Sequence, residues 1–142
     1  MKVSEIMTRE VHMTPPDAPI VEAARQMAQH HVGFLPVATR ERLVGAITDR
    51  DIVVRCVAKG TMDGATVRDV MTSEVMYCFE DDDIEKVAQN MGNIQVRRLP
   101  VVNREKRLVG VVSFADVAVD HGGETVAVAL SGIARPGGLH AT

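Results

Sequence analysis

The chain is written twice, and this limits its fold more than any other feature. Val3-Ser-Glu-Ile-Met-Thr8 returns 64 residues later as Val67-Arg-Asp-Val-Met-Thr72. Ile20–Met27 returns at the same offset as Ile84–Met91, and Leu35-Pro36-Val37 as Leu99-Pro100-Val101. Leu43-Val44-Gly45 reappears as Leu108-Val109-Gly110 at an offset of 65, the connecting segment having grown from five residues (38–42) to six (102–107), as a hairpin loop can. Each glycine leads to the same punctuation, Thr48-x-x-Asp51 and Ser113-x-x-Asp116. Two copies at this period do not build a solenoid, which needs three or more stacked units. They predict two half-domains, residues 1–62 and 63–130, packed as a pseudo-two-fold pair, with a tail over 131–142.

A lone unit of about 60 residues buries too little surface for comfortable stability, so the halves are expected to pack on each other. Apolar residues make up 46% of the chain and charged residues 25%, as in a soluble globular domain. A net charge of −3 and an aromatic content of 3% argue against a nucleic-acid surface, which wants basic stripes or stacking rings. No apolar run approaches the roughly 20 residues of a spanning helix. Met1-Lys-Val-Ser-Glu5 also lacks the apolar core and cleavage site of a signal peptide, so the expected compartment is the cytoplasm, with no membrane partner.

Apolar spacing predicts the order strand–helix–strand–strand–helix in each half, an α+β fold of two β-α-β-β-α repeats. In the first half Ser4 is placed to cap a short helix through Met7, and Val11–Met13 reads as a short strand before the turn residues Thr14-Pro15-Pro16-Asp17. A helix follows from Pro19 to His31, ended by Gly33, then strand Phe34–Ala38, a hairpin loop over Thr39–Arg42 and strand Leu43–Ile47. A helix from Asp49 closes at Gly60. The second half predicts a helix near Thr66–Met71, strand Glu74–Cys78, an acidic turn, helix Ile84–Ile94, and strands Arg98–Val102 and Leu108–Val112. One last helix starts after Ser113 and continues through Glu124–Leu130. From Ser131 the core pattern is lost.

Met7, Met27, Met71 and Met91 fall at repeated core positions, and Cys56 and Cys78 read as core-filling thiols. His30-His31 is the one histidine cluster, but adjacent helical residues point about 100° apart and do not clamp one ion, so no metal site is expected.

The chemistry lies in Thr48-Asp-Arg-Asp51 and Ser113-Phe-Ala-Asp116. Each puts a hydroxyl at a strand end and a carboxylate three residues on, in the first turn of a helix. That spacing is also a helix capping box, worth ~1 kcal/mol. It equally suits a nucleoside phosphate. A helix start attracts phosphate, a hydroxyl adds a hydrogen bond, and a carboxylate accepts the two hydroxyls of a ribose diol. The strands bearing Phe34-Leu-Pro36 and Arg98-Leu-Pro100 can wall an apolar slot for a base. Arg50 adds charge beside the proposed phosphate position of the first site. Its counterpart is Ala115, while Arg97 and Arg98 replace Gly33 and Phe34, so the two sites are expected to be unequal. Both readings of the motif, cap and ligand site, stand on the residues alone.

The doubled x-Leu-Pro-Val, Leu-Val-Gly and Gly-x-x-Ser/Thr-x-x-Asp pattern resembles tandem cystathionine-beta-synthase (CBS) motifs, together a Bateman module, over about residues 1–120. The resemblance implies that Thr48 and Asp51 serve one adenine-nucleotide site, Ser113 and Asp116 another. It implies AMP, ADP or ATP as ligand, with S-adenosylmethionine or NAD fitting the same ribose logic, and no cofactor requirement. Family members regulate a fused domain. Since none is attached here, the expected role is a sensor acting in trans on a separate protein.

The competing class is a structural or interaction pair with degenerate sites. No Cys/His or Ser/His/acid set and no phosphate-cradling glycine loop supports an enzyme. Self-association as a homodimer is expected, covering apolar surface on Ile6-Met7, Val70-Met71 and the 49–59 and 114–130 helices.

Overall fold

A computed structural model describes residues 1–120 and 123–135. The chain divides into two compact units, and these cross the repeat boundary at residue 62. One comprises His12–Val75; the other joins Met1–Val11 to the chain from Met76 onward. The opening residues of each repeat therefore belong to the unit that holds the body of the other.

In the unit His12–Val75, helix α1 spans Ile20–His30 and buries Ile20, Ala23 and Met27 at helical spacing. It stops at His31, which takes the left-handed conformation (φ 54°), so the terminus falls before Gly33. Strands β1 (Phe34–Thr39) and β2 (Arg42–Thr48) pair antiparallel. The loop read over Thr39–Arg42 tightens to Arg40-Glu41, both at positive φ (51° and 68°), as a right-twisted hairpin demands of a two-residue turn. Val11–Met13 forms no strand. Only Thr14 bridges to Val37, its N–H donating to the Pro36 carbonyl at 3.1 Å.

That contact explains a proline within a strand. Pro36 stands opposite Ala46, yet its carbonyl faces away from β2 toward Thr14, and Ala46 bonds outward to Thr72. Its missing N–H therefore costs the hairpin no ladder bond. Pro100 repeats the arrangement opposite Val111, which bonds outward to Thr8.

Helix α2 (Asp49–Ile52) makes one α turn and widens into π geometry over Val53–Val57, where the Ala58 N–H reaches back to the Val53 carbonyl at 2.8 Å. Gly60 follows at φ 68°. Helix α3 (Val67–Val70) starts from Thr66, whose N–H and hydroxyl both donate to Asp69 Oδ2. Val67 and Val70 join Leu35, Val37, Ile47 and Cys56 in the core of this unit. Just beyond α3, Thr72 exchanges two backbone bonds with Ala46 (3.0 and 2.9 Å) on the outer edge of β2.

The other unit has a three-stranded sheet in the order β3-β4-β5. β3 is only Cys78–Phe79, shorter than the predicted Glu74–Cys78, and runs parallel to β4 (Arg98–Val102). β5 (Leu108–Ser113) pairs antiparallel with β4. Thr8 bonds Val111 in both directions (2.9 and 3.0 Å), as Thr72 does Ala46. Val3, Ile6 and Met7 enter this core with Ile84, Met91, Leu99 and Val112. The N-terminal turn is a 3-10 helix over Val3–Glu5. Ser4 lies inside it and does not cap it; the Lys2 N–H donates to the Glu5 carboxylate at 2.6 Å.

Helix α4 (Ile84–Ile94) ends at Gln95, left-handed like His31. The last helix is two, α5 (Phe114–Asp120) and α6 (Glu124–Ile133), and α6 runs past Leu130. Gly132 closes on the Gly92 backbone, leaving no room for a Cβ, and Gln95 Nε2 donates to the carbonyls of Gly132 (3.1 Å) and Arg135 (2.6 Å). Ser131–Ile133 are thus helical, and residues 136–142 of the expected tail lie outside the described residues.

Ile6, Met7 and Val70 are buried, so they offer no surface to a second copy; Met71 is half-buried. On the helical segments expected to carry a dimer face, the exposed apolar side chains include Val53, Val54 and Val57 after α2, Val119 on α5, and Val128 and Leu130 on α6. Among the described residues no helix is long and apolar enough to cross a membrane.

Candidate functional site

Both hydroxyl–carboxylate turns form capping boxes. Asp51 N–H donates to Thr48 Oγ1 (3.1 Å) and Thr48 N–H to Asp51 Oδ2 (3.0 Å). In the second repeat Asp116 N–H donates to Ser113 Oγ (3.1 Å) and Ser113 N–H to Asp116 Oδ2 (2.9 Å). The structural reading of the motif is therefore realised in full. It leaves part of each side chain unspent: the Thr48 and Ser113 hydroxyl protons, and Oδ1 of each aspartate, take no part in these bonds.

Strand register decides what faces each hydroxyl. Phe34 is the cross-strand partner of Thr48, and Arg98 that of Ser113. The Asp49 N–H donates to the Gly33 carbonyl (3.0 Å), and the Phe114 N–H to the Arg97 carbonyl (2.8 Å), fixing the same corner in both repeats. Thus one corner carries a half-buried aromatic ring where the other carries an exposed guanidinium. Pro36 and Pro100 lie two residues further along, buried within the hairpins.

Arg50 is exposed in the first turn of α2, and only its backbone is engaged, donating to Asp49 Oδ1 at 2.8 Å. The cation beside the acid is Arg55, whose Nε lies 3.8 Å from Asp51 Oδ1. Its Nη1 also reaches the Val70 carbonyl (3.3 Å) and Thr72 Oγ1 (3.5 Å). Arg55 lies outside the repeated motif, although its i+4 spacing from Asp51 on a helix is a usable signal. Arg55 also borders a concavity of about 440 Å³ with Lys59, Thr61, Asp63, Asp69 and Val70. The hydrogen bonds from Thr66 hold the Asp69 carboxyl below its ordinary pKa.

The described histidines are placed apart from one another's reach to a common ion or are otherwise engaged. His30 stacks on His12 (ring centroids 3.6 Å apart), His31 is the helix cap, and among the described residues no three His, Cys, Asp or Glu side chains converge. Cys56 and Cys78 are buried and unpaired in disulfides. Burial, reinforced by Asp82, pushes the Cys78 thiol up to about 12.

The profile of the CBS domain matches residues 3–57 and 67–119. The chain belongs to the CBS domain family. This CBS pair is similar to CBS domain-containing protein YhcV of Bacillus subtilis, 38% identical over 134 residues that cover 94% of this chain and 95% of the relative. Among solved structures it resembles the CBS domain pair of protein MJ0100 in complex with 5′-methylthioadenosine and S-adenosyl-L-methionine (TM-score 0.74, 29% identity, 87% of this chain and 98% of that one). It also resembles CBSX2 of Arabidopsis thaliana in complex with AMP (TM-score 0.75, 25% identity, 83% and 93%). The mixed helix-and-strand fold with two CBS repeats, read from the doubled motifs, is thus the family's.

Proposed function

We propose that this CBS pair is a regulatory sensor that binds an adenine nucleotide or another adenosyl ligand and acts on a separate protein partner. The observation that carries the reading is the unspent half of each capping box. At two matched corners the capping bonds leave the hydroxyl as a donor and the second carboxylate oxygen as an acceptor, with only the long Arg55 contact at Asp51 Oδ1, in a chain whose solved relatives MJ0100 and CBSX2 hold adenosyl ligands. Asp51 and Asp116 accept from the ribose diol, and Thr48 and Ser113 donate to ribose or phosphate. Pro36 and Pro100 stiffen the strand walls, while Arg50 and Arg98 supply charge at the rims. AMP, ADP and ATP are the first ligands to try, and S-adenosylmethionine and NAD share the same adenosine. The ligand is a signal and not a reactant, so the module is not an enzyme.

Exposed Val53, Val54 and Val57 suit a homodimer that covers this face.

The test is calorimetric titration with adenosine, AMP, ATP and S-adenosylmethionine. Saturable binding of at least one, lost in part in Asp51→Ala and in Asp116→Ala, supports the reading. A second reading, an interaction pair with degenerate sites, is favoured by the prior engagement of both Oδ2 atoms within the protein. No heat and no ligand-induced rise in melting temperature would establish it instead.

A further inference from the structure

The two corners also differ at a position outside the repeated motif. Arg55 stands four residues beyond Asp51, and the residue four beyond Asp116 is Asp120. A guanidinium offers five N–H donors in a fixed fork. Among the described residues Arg55 uses Nε and Nη1 in three long contacts, at 3.8, 3.3 and 3.5 Å, and Nη2 in none. Its side chain is 48% exposed, against 18% for Asp51, so the guanidinium is the more accessible partner of the pair. Arg55 borders the 440 Å³ concavity together with Lys59, room enough for a phosphate group and its hydration.

From this arrangement we infer that Arg55 is the charge-reading residue of the first site, making it select a phosphorylated adenosine over the bare nucleoside. The inference rests on the proposed nucleotide reading. A ribose engaged at Asp51 Oδ1 brings the phosphate within reach of the free Nη2. Arg55 can exchange its weak contacts for charge-assisted, bidentate ones, which are shorter and stronger. The acids Asp63 and Asp69 border the same concavity and confine the anion to the Arg55–Lys59 wall. Asp69 is already held by Thr66.

The experiment compares adenosine and AMP by calorimetry in an Asp116→Ala background, which isolates the first site, with Arg55 as Arg, Gln or Met. Both substitutions remove the charge, and either one that melts cooperatively suffices. The expected result is a loss of about ten-fold or more in AMP affinity, with adenosine within about two-fold of the parent. Equal losses for both ligands, or unchanged AMP binding, would overturn the role of Arg55 and leave the nucleotide reading standing. Failure of the wild-type protein to bind either ligand would remove the nucleotide reading and this inference with it. Raising salt should shrink the AMP-over-adenosine preference of the parent but not that of the Arg55 variants.

Discussion

Gly45 lies against Met71 with no space for a side chain: a Cβ there would stand 2.8 Å from Met71 Sδ and 2.9 Å from the Thr72 carbonyl oxygen. Gly110 meets Met7 and the Thr8 carbonyl in the same way, at 2.6 and 2.9 Å. The thioether can swing aside, but the carbonyl is fixed by its bond to the strand. Gly45→Ala and Gly110→Ala should each destabilise the fold by about 1–3 kcal/mol, the usual range for overpacking a filled interior. Urea melts of the two variants check this. Wild-type midpoints in both would show that the edge pairing yields easily.

The two roles of Thr48 can be separated. Thr48→Ser keeps both the cap acceptor and the hydroxyl proton, so stability and ligand binding should change little. Thr48→Ala removes both, costing ~1 kcal/mol of stability through the lost cap. If the hydroxyl serves a ligand, Thr48→Ala also weakens binding at the first site, and unchanged ligand affinity in that variant would reduce Thr48 to a cap.

Cys78 makes stability pH-dependent in the alkaline range. Its native pKa is raised from 9.0 to about 12 by burial and then by Asp82. Below pH 9 the thiol is neutral in both folded and unfolded chains and contributes no slope. Between pH 9 and about 12 the unfolded chain loses the proton while the native one keeps it, so stability falls as pH rises. Cys78→Ala should flatten this part of the profile in melts recorded from pH 8 upward. Native Cys78 should also resist alkylation at pH 8 until denaturant is added.

For the homodimer, the expected observation is a dimer mass in light scattering at micromolar concentration. Val57→Lys places a charge on a side chain that is 53% exposed and should yield a folded monomer. A wild-type monomer would discard this surface as an interface.

Much of the architecture was legible because local patterns agreed with one another. Helix Ile84–Ile94 and strand Arg98–Val102 fall where apolar spacing put them. The helix ends were less legible. His31 and Gln95 take the left-handed turn themselves, a conformation that glycine usually supplies, so Gly33 was a false stop signal. The π widening at Val53–Val57 carries no composition cue. Which half each opening segment packs with was hidden by the repeat itself, since Met7-Thr8 and Met71-Thr72 fit either glycine edge equally well on paper. The capping pairs Thr48–Asp51 and Ser113–Asp116 were readable from spacing, and the strand register sets Phe34 and Arg98 opposite Thr48 and Ser113. Arg55 lies outside the four-residue motif, so the motif alone does not mark it.

The crossing of opening segments has a consequence for how such a sequence can be divided. Cutting the connection between residues 57 and 66 would leave one fragment without the Val67–Thr72 edge of its own hairpin and the other without Val3, Ile6 and Met7. Each fragment would expose a bare strand and an unfilled interior, an invitation to aggregate. Expressed together, they should find each other and restore both missing edges. The tandem, not the single repeat, is therefore the smallest portion of this gene that recombination can move intact.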